Sequence, residues 1–206
     1  MTAPQIHPTA CVHDEARLGP GVSVWQFAQV REHASVGEDT SIGMGSYVDV
    51  GVVLGKRCKL QNHVCTFAGL LVEDGVFLGP AAVFTNDLHP RAVNPDGSSK
   101  RDGDWVRART LVQTGASVGA NATVACGLTI GAHAMVGAGS VVTRDVPPHG
   151  LVRGNPARLV GFVGKAGFLL RFSEERDGEV VLVCDRTGER LQLGLRDYQA
   201  ASRSRA

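Results

Sequence analysis

The segment Val118-Gly-Ala-Asn-Ala-Thr, residues 118–123, is one unit of the six-residue repeat that decides the fold of this chain. A large aliphatic residue opens the unit, glycine follows it, and a small residue stands at the fifth position. Residues 36–41, Val-Gly-Glu-Asp-Thr-Ser, have the same form. In the first block the opening positions recur every sixth residue and are Ile6, Val12, Leu18, Val24, Val30, Val36, Ile42, Val48, Leu54, Leu60, Val72, Leu78 and Phe84, with Thr66 as the one polar member.

This period is typical of parallel β-helices, in which a short strand and a turn bury their inner face only by stacking on neighbouring units. Because side chains alternate along a strand, the first and fifth positions can both point inward. We expect glycine to relieve strain where the turns need unusual backbone angles. Three units would close one triangular coil, with coils roughly 4.8 Å apart. The alternative, an antiparallel sandwich of short strands, does not explain why so many positions keep one frame.

Length and composition limit the class of protein. The chain has 206 residues and 43% hydrophobic content, enough for one sizeable core and an appendage. A formal net charge of +1 argues against a nucleic-acid or membrane-surface partner, which would require a strong basic excess. We therefore expect a small-molecule or protein partner.

The start of the chain has neither a charged n-region nor an apolar h-region, and no run of about 18 apolar residues occurs. We expect a cytoplasmic protein. The 5 cysteines are scattered and never spaced Cys-x-x-Cys, so we interpret them as reduced thiols rather than disulfides or an intact thiolate zinc site.

The repeat stops after Phe84 and restarts in a shifted frame at Val112. The segment from Asp87 to about Leu111 is therefore predicted to be a loop inserted between two blocks of coils. Loops of this length are uncommon unless they are functional or disordered, so we expect function here. We expect Trp105 to pin the loop to the helix or to a neighbouring subunit, with plain packing as the alternative.

The repeat ends near residue 163, and the division predicted is a β-helix over 1–163, a small β appendage over 164–195 and a tail over 196–206. Residues 168–172, 179–184 and 189–193 are predicted to be three short strands, the last two joined by a hairpin turn at 185–188. The tail is polar and basic at its end, and we expect it to be disordered.

Residues 115–123, followed by 137–147 and 154–158, resemble the hexapeptide-repeat acyltransferases that use acetyl-coenzyme A. The resemblance implies an all-β, left-handed parallel β-helix that works as a homotrimer, with sites at subunit interfaces. A narrower likeness is carried by residues 24–27, 31–32, 60–62, 79–80, 84–86 and 90–91. These residues resemble N-acetyltransferases that acylate the 3-amino group of nucleotide-linked amino sugars, such as UDP-linked 3-amino-glucuronate or dTDP-linked 3-amino-deoxyhexoses.

The expected activity is transfer of an acetyl group from acetyl-CoA to such an amino group. O-acetylation of a sugar or antibiotic hydroxyl and a non-catalytic structural trimer remain alternatives.

Asn86 matches the family's residue at the loop entrance, and its carboxamide can both accept and donate hydrogen bonds. A turn-forming role is its alternative. His89 is the candidate base, although the thiolate of CoA can also take the proton. The carboxylate of Asp87 is a second candidate for the base, with a solvated loop carboxylate as the alternative.

Other candidate residues are assigned to binding. Gln61 and Asn62 are expected to meet sugar hydroxyls, although turn chemistry also selects Asn62. Arg31 is expected to pair with the pyrophosphate, with a surface ion pair as the alternative. The further acceptor-binding candidates are Glu32, Asp87 and Arg91. The acetyl-CoA candidates, which the family signature implies, are Gly137, Ala138, Gly139, Arg153, Gly154, Asn155, Pro156 and Arg158.

No metal is expected. The seven histidines show neither the five-residue nor the eighteen-residue spacing that γ-type carbonic anhydrases on this fold would need. Several relatives carry a zinc ribbon with two cysteine pairs after the β-helix. The matching positions are Gly164, Ala166 or Gly167, Cys184 and Thr187, so we predict a ribbon-like flap without metal.

Overall fold

The computed structural model of the protein describes residues 2–101 and 103–203, with side chains through residue 199. Short parallel strands wind into a triangular prism, and each strand pairs with the strand eighteen residues further on, as in Ser23↔Ser41 and Ser41↔Lys59. Three hexads therefore close one coil, as predicted. The fold is the expected left-handed parallel β-helix.

The strands before the inserted loop are β1 (Gln5–Ile6), β2 (Cys11–Val12), β3 (Arg17–Leu18), β4 (Ser23–Val24), β5 (Gln29–Val30), β6 (Ser35–Val36), β7 (Ser41–Ile42), β8 (Tyr47–Val48), β9 (Val53–Leu54), β10 (Lys59–Leu60), β11 (Cys65–Thr66), β12 (Leu70–Val72), β13 (Phe77–Leu78) and β14 (Val83–Phe84). Those after it are β15 (Thr110–Val112), β16 (Ser117–Val118), β17 (Thr123–Val124), β18 (Thr129–Ile130), β19 (Met135–Val136), β20 (Val141–Val142), β21 (Gly150–Arg153) and β22 (Arg158–Phe162).

Every third strand lies on the same face of the prism. Face A contains β1, β4, β7, β10, β13, β16, β19, β21 and β22, face B contains β2, β5, β8, β11, β14, β17 and β20, and face C contains β3, β6, β9, β12, β15 and β18. The turns between faces form three edges. Edge AB comprises residues 7–9, 25–27, 43–45, 61–63, 79–81, 119–121 and 137–139. Edge BC comprises 13–15, 31–33, 49–51, 67–69, 85–109 and 125–127. Edge CA comprises 19–21, 37–39, 55–57, 73–75, 113–115 and 131–133.

The core is the line of first and fifth hexad positions, as the alternation of side chains requires. Val118 and Ala122 are both fully buried, and most equivalent positions above the first coil are buried too, whereas Ile6 in the first coil is exposed. The polar position, Thr66, is also fully buried, and its hydroxyl donates a hydrogen bond to the carbonyl oxygen of Tyr47 at 2.9 Å. Because that hydroxyl has a partner, a polar side chain is accommodated in an otherwise apolar stack.

Glycine at the second position of the repeat is required by a different physical constraint from the one expected. A Cβ at Gly37 would lie 2.5 Å from the carbonyl carbon of Gly55 in the next coil, which is too close for any side chain. The unusual backbone angle instead falls two residues later, where Asp39 has φ 57°. Close stacking of coils therefore selects Gly37. The left-handed position is filled by glycine in other coils, as expected, for example Gly45 (φ 65°), and elsewhere by residues such as Asp39 and Asn121 (φ 56°) that tolerate it.

The inserted loop leaves edge BC after Phe84 and returns before β15. The strand register shows it directly, since Phe84 pairs with Val124, forty residues on instead of eighteen. Its end differs from the prediction: Leu111 lies within β15, because residues 110–112 pair with residues 70–72. The loop is held by its own contacts, including Asn94 to Ser98 at 3.1 Å and Asn94 to Asp104 at 3.1 Å.

Trp105, on the returning limb of the loop, is partly exposed. The guanidinium carbon of Arg107 lies 5.6 Å from the centre of its ring, a cation–π geometry. This contact is internal to the loop. Pinning of Trp105 to a neighbouring subunit stays a prediction.

The C-terminal appendage is a three-stranded antiparallel sheet of β23 (Arg171–Arg176), β24 (Glu179–Val183) and β25 (Arg190–Gly194), followed by α1 (Leu195–Arg203). The strands and the hairpin confirm the prediction, although the first strand begins three residues later than predicted.

The expected disorder of the tail is wrong through residue 203, and residues 204–206 lie outside the described chain. Helix α1 forms because Leu195 and Tyr198 pack on a second core cluster around Phe162 and Leu182. In the part of the chain that the structure describes, no helix is long and apolar enough to cross a membrane.

Candidate active site

Asn86 lies on edge BC where the inserted loop begins. Its backbone carbonyl accepts a hydrogen bond from the N–H of Ala108 at 3.3 Å, which closes the base of the loop. The neighbouring Thr85 hydroxyl accepts one from the N–H of Cys126 at 3.1 Å. Within residues 2–101 and 103–203 the Asn86 carboxamide itself has no hydrogen-bond partner. The backbone is therefore fixed while the side chain remains available.

The other loop candidates follow Asn86 on the outgoing limb. The carboxylate of Asp87 accepts a hydrogen bond from the backbone N–H of His89 at 2.7 Å, an arrangement typical of an Asx turn. This contact gives Asp87 a structural role and sets the direction of the chain. The ring of His89 is exposed, and Arg91 is also exposed, with its guanidinium donating to the carbonyl oxygen of Pro90 at 2.8 Å.

Arg31 and Glu32 lie on the same edge as Asn86, three coils below it, or about 14 Å at the usual strand spacing. The guanidinium of Arg31 donates twice to Glu32, at 2.8 and 2.9 Å. These bonds lower the pKa of Glu32 to about 2 and raise that of Arg31. The ion pair that sequence reasoning left as an alternative is therefore present, and binding of pyrophosphate by Arg31 stays a prediction.

Sequence reasoning missed two residues of this network. Arg31 also donates to the Tyr47 hydroxyl at 3.1 Å, and that hydroxyl donates to Asp49 at 2.8 Å. The second oxygen of Asp49 accepts from the N–H of Ala68 at 3.0 Å, and burial raises the pKa of Tyr47. The available signal was the eighteen-residue spacing of Arg31 and Asp49, which places them directly above one another.

Gln61 and Asn62, the residues expected to meet sugar hydroxyls, do not lie beneath Asn86. They belong to edge AB, whereas Asn86 belongs to edge BC, because β11 separates the two turns. Asn62 fulfils the turn role considered for it, since its side-chain oxygen accepts from the N–H of Met44 at 3.1 Å. Both residues line a groove of about 340 Å³ together with Trp25.

The two predicted acetyl-CoA segments do meet. Gly137 donates to the carbonyl oxygen of Val152 at 2.8 Å, and Gly154 donates to the hydroxyl of Ser140 at 3.1 Å, so the start of the 153–158 segment stacks on 137–139 at the top of edge AB. Arg158, at its end, pairs with Arg153 on face A. Gly139 has φ 67°, and a Cβ there would meet open space. Its backbone is therefore exposed along the edge. This group comprises Gly137, Ala138, Gly139, Arg153, Gly154, Asn155, Pro156 and Arg158.

The candidate residues thus form two groups on different edges of the prism. Asn86, His89, Arg31 and Glu32 are on edge BC, while Gln61 and the 137–139 and 153–158 segments are on edge AB. Face B separates the edges. Within one subunit the two groups therefore lie along opposite borders of face B.

Metal ligands are not clustered. In the described residues no group of three or more His, Cys, Asp or Glu side chains is placed to hold an ion. At the ribbon-like positions a hydrogen bond from Thr187 lowers the pKa of the Cys184 thiol. The carboxylate of Glu189, which sequence reasoning missed, accepts two hydrogen bonds from the N–H of Lys165 there.

Comparison with known proteins agrees with this fold. The family model described as the hexapeptide repeat of succinyl-transferase matches residues 33–64 and 114–144. A maltose O-acetyltransferase from Clostridium difficile 630 has a similar fold, with a TM-score of 0.50 and 21% identity over 72% of this chain and 70% of that one. The predicted resemblance to hexapeptide-repeat proteins is confirmed as a resemblance over these residues, and the solved structure shares the fold.

In sequence, the chain is 40% identical over 76 residues to a dTDP-3-amino-3,6-dideoxy-alpha-D-galactopyranose 3-N-acetyltransferase of Aneurinibacillus thermoaerophilus, a match covering 37% of this chain and 38% of the relative. It is 35% identical over 153 residues to serine acetyltransferase 4 of Arabidopsis thaliana, covering 73% of this chain and 33% of the relative. The matches thus span little more than a third of the length of these relatives. The predicted likeness to amino-sugar N-acetyltransferases is confirmed as a likeness.

Proposed function

We propose that this protein is an acetyl-CoA-dependent N-acetyltransferase that acts on the amino group, at C3, of a nucleotide-linked amino sugar. The observation that carries the proposal is Asn86, whose carboxamide has no partner in the described chain and stands where the inserted loop leaves a rigid coil. The similarity to a 3-amino-sugar N-acetyltransferase supports the choice of acceptor.

The reaction needs a neutral amine, a donor for the developing oxyanion and a proton acceptor. The amine nitrogen attacks the thioester carbon, a C–N bond forms, the C–S bond breaks and CoA leaves as its thiolate. The Asn86 carboxamide orients the amine through its oxygen or stabilises the developing oxyanion through its NH₂ group. The amine proton passes to the departing thiolate or to His89.

Acetyl-CoA is proposed to lie along edge AB. The small residues of 137–139 would let the pantetheine approach backbone N–H and C=O groups, and the exposed Arg153 and Arg158 are proposed to meet the phosphates. Arg31, Glu32, Gln61, Asn62, Asp87 and Arg91 remain the proposed acceptor-binding residues.

A homotrimer is proposed because the two candidate groups lie on different edges. In a closed three-fold assembly, edge BC and the loop of one subunit can approach edge AB of the next, which completes three equivalent sites. Light scattering that gives a monomer mass at micromolar concentration would overturn this.

We also propose a cytoplasmic location, since acetyl-CoA and nucleotide sugars are cytoplasmic metabolites.

The deciding experiment measures thiol release from acetyl-CoA with UDP- and dTDP-linked 3-amino sugars, and with the matching 3-hydroxy sugars as controls. We expect release with an amino sugar alone. Turnover of the hydroxy sugars, maltose or serine would instead support O-acetylation, the second candidate, which the resemblance to serine acetyltransferase favours. Absence of release with every acceptor would contradict both and leave the structural trimer.

A further inference from the structure

Trp25 is an exposed aromatic residue on the lower part of edge AB. Half of its surface, 50%, is open to solvent. Its indole N–H donates to the hydroxyl of Ser41 in the next coil at 3.3 Å, which limits rotation of the ring. A large side chain held in this way while exposed offers a flat, oriented apolar surface.

The indole stands between two grooves. On one side lies a groove of about 340 Å³ lined by Gln26, Gly43, Met44, Gln61 and Asn62, among others. On the other side a groove of about 300 Å³ is lined by residues 5–8 and 23–24. The volume of each is within the range of small-molecule sites.

The polar side chains of the first groove are chiefly amides, from Gln26, Gln61 and Asn62, and its lining contains no charged side chain. Amides both donate and accept hydrogen bonds, as the edge of a nucleobase does. A phosphate, in contrast, is bound best by arginine, lysine or a helix N-terminus. The combination of an aromatic face with neutral amides is therefore suited to a heterocyclic base.

We propose that Trp25 stacks on the nucleobase of the acceptor and that the amide-lined groove beside it reads the edge of the base. The proposal rests on the proposed function and adds the part of the substrate that this surface recognises. The distances fit. Gln61 lies two coils above Trp25, about 10 Å, and Gly137 lies three coils above Gln61, about 14 Å. The base would then point away from the acetyl-CoA end of the edge.

The chain has 2 tryptophans, Trp25 and Trp105, so fluorescence can report on Trp25 alone in a Trp105→Phe background. In that background we would titrate UDP, dTDP and GDP and follow the emission of Trp25. Stacking predicts saturable quenching by at least one of them, stronger than quenching by ribose 5-phosphate. The result needs no turnover, so it is read separately from the proposed activity.

A kinetic test uses Trp25→Ala, Trp25→Phe and, as a matched control, Phe27→Ala, which removes an aromatic ring that is 65% exposed in the same turn. Loss of stacking worth about 1–3 kcal/mol raises KM for the nucleotide sugar roughly 5- to 150-fold. We expect kcat and the KM for acetyl-CoA to stay within about twofold, Trp25→Phe to recover part of the loss, and Phe27→Ala to behave as wild type.

Three results would overturn the proposal. The first is an active enzyme in which Trp25→Ala leaves the acceptor KM unchanged. The second is the absence of quenching by all three nucleoside diphosphates. The third is a smaller oligomer for Trp25→Ala by light scattering, which would make Trp25 a contact between subunits instead of a binding surface. Loss of turnover by the wild type with quenching retained would contradict the proposed function alone.

Discussion

The carboxylate of Glu189 accepts hydrogen bonds from the backbone N–H of Lys165 at 3.0 and 2.9 Å and so joins two turns of the C-terminal appendage. A Cβ on Gly164 would lie 2.3 Å from one of these carboxylate oxygens. A cysteine at 164, which a zinc ribbon requires, would therefore displace the Glu189 carboxylate from this position. The charged side chain links the two turns that a metal links in such ribbons.

Glu189→Ala should destabilise the appendage by about 1 kcal/mol, because it removes a charge-assisted hydrogen bond and leaves the Lys165 N–H unpaired. Denaturant unfolding followed by far-UV circular dichroism would measure the change. Glu174→Ala is the control, since its exposed ion pair with Arg190 should contribute under about 0.5 kcal/mol. Equal unfolding midpoints for wild type and Glu189→Ala would refute the conclusion that Glu189 stabilises the appendage by joining its two turns.

Purified protein is expected to contain no stoichiometric zinc, because three of the four ribbon positions lack a thiolate. Elemental analysis after expression in zinc-supplemented medium would test this. One zinc per chain that resists dialysis against a chelator would contradict it.

Asn86→Ala should lower kcat by roughly 10²–10³-fold, the usual cost of losing one preorganised donor. KM for acetyl-CoA should barely change, because the proposed CoA segments lie on another edge. Asn86→Asp keeps the shape but loses the NH₂ donor and adds a charge, so it should be similarly impaired. Wild-type turnover in Asn86→Ala, with an unchanged melting temperature, would exclude the assignment.

His89→Asn is expected to cost under about tenfold in kcat/KM and to leave the shape of its pH profile unchanged. The reason is that the CoA thiolate can take the amine proton, and His89 is exposed on the outgoing limb. A loss of 10²-fold or more, with one ionisation removed from the profile, would instead identify His89 as the general base.

His133 is expected to make stability depend on pH. Its Nδ1 atom is buried without a hydrogen bond in the described chain, and its ring lies 5.1 Å from that of His149, whose own Nδ1 is 2.9 Å from the Val163 carbonyl oxygen. Burial, then His149 and Lys165, lower the pKa of His133, while the nearby Glu189 opposes the shift.

Because the folded pKa is lowered, the unfolded chain binds a proton first as pH falls. The contribution of His133 is thus complete above about pH 6.5, the ordinary histidine value, and is lost as pH falls from there through the lowered pKa. Unfolding midpoints from pH 7.5 to 5 would measure it. His133→Asn, compatible with φ 56°, should flatten this dependence, whereas His13→Asn on the first coil should not. An equally steep loss in His133→Asn would contradict the prediction.

The repeat alone was sufficient to predict the coils and the buried rows, while the short apolar runs and the turn at 185–188 predicted the hairpin of the appendage. These features depend on local periodicity: a residue such as Val118 is buried because of its position in the hexad, and Ala122 for the same reason. The beginning of the insertion was predictable because Phe84 is the last residue in the first frame. The residue at which the insertion ends was not predictable in this way, because a frame that restarts at Val112 does not reveal that Leu111 already pairs with Leu71.

The sequence by itself determined the fold class and the nature of the candidate residues. Only the tertiary structure decided which edge each one occupies, since a turn six residues away lies on another edge of the prism, while one eighteen residues away lies directly above. Only the tertiary structure also revealed the Arg31–Tyr47–Asp49 network, the hydrogen bonds of Glu189 to Lys165, and helix α1. Each of these depends on contacts between residues distant in the chain. The polar tail forms a helix because Tyr198 packs against an apolar cluster of the appendage.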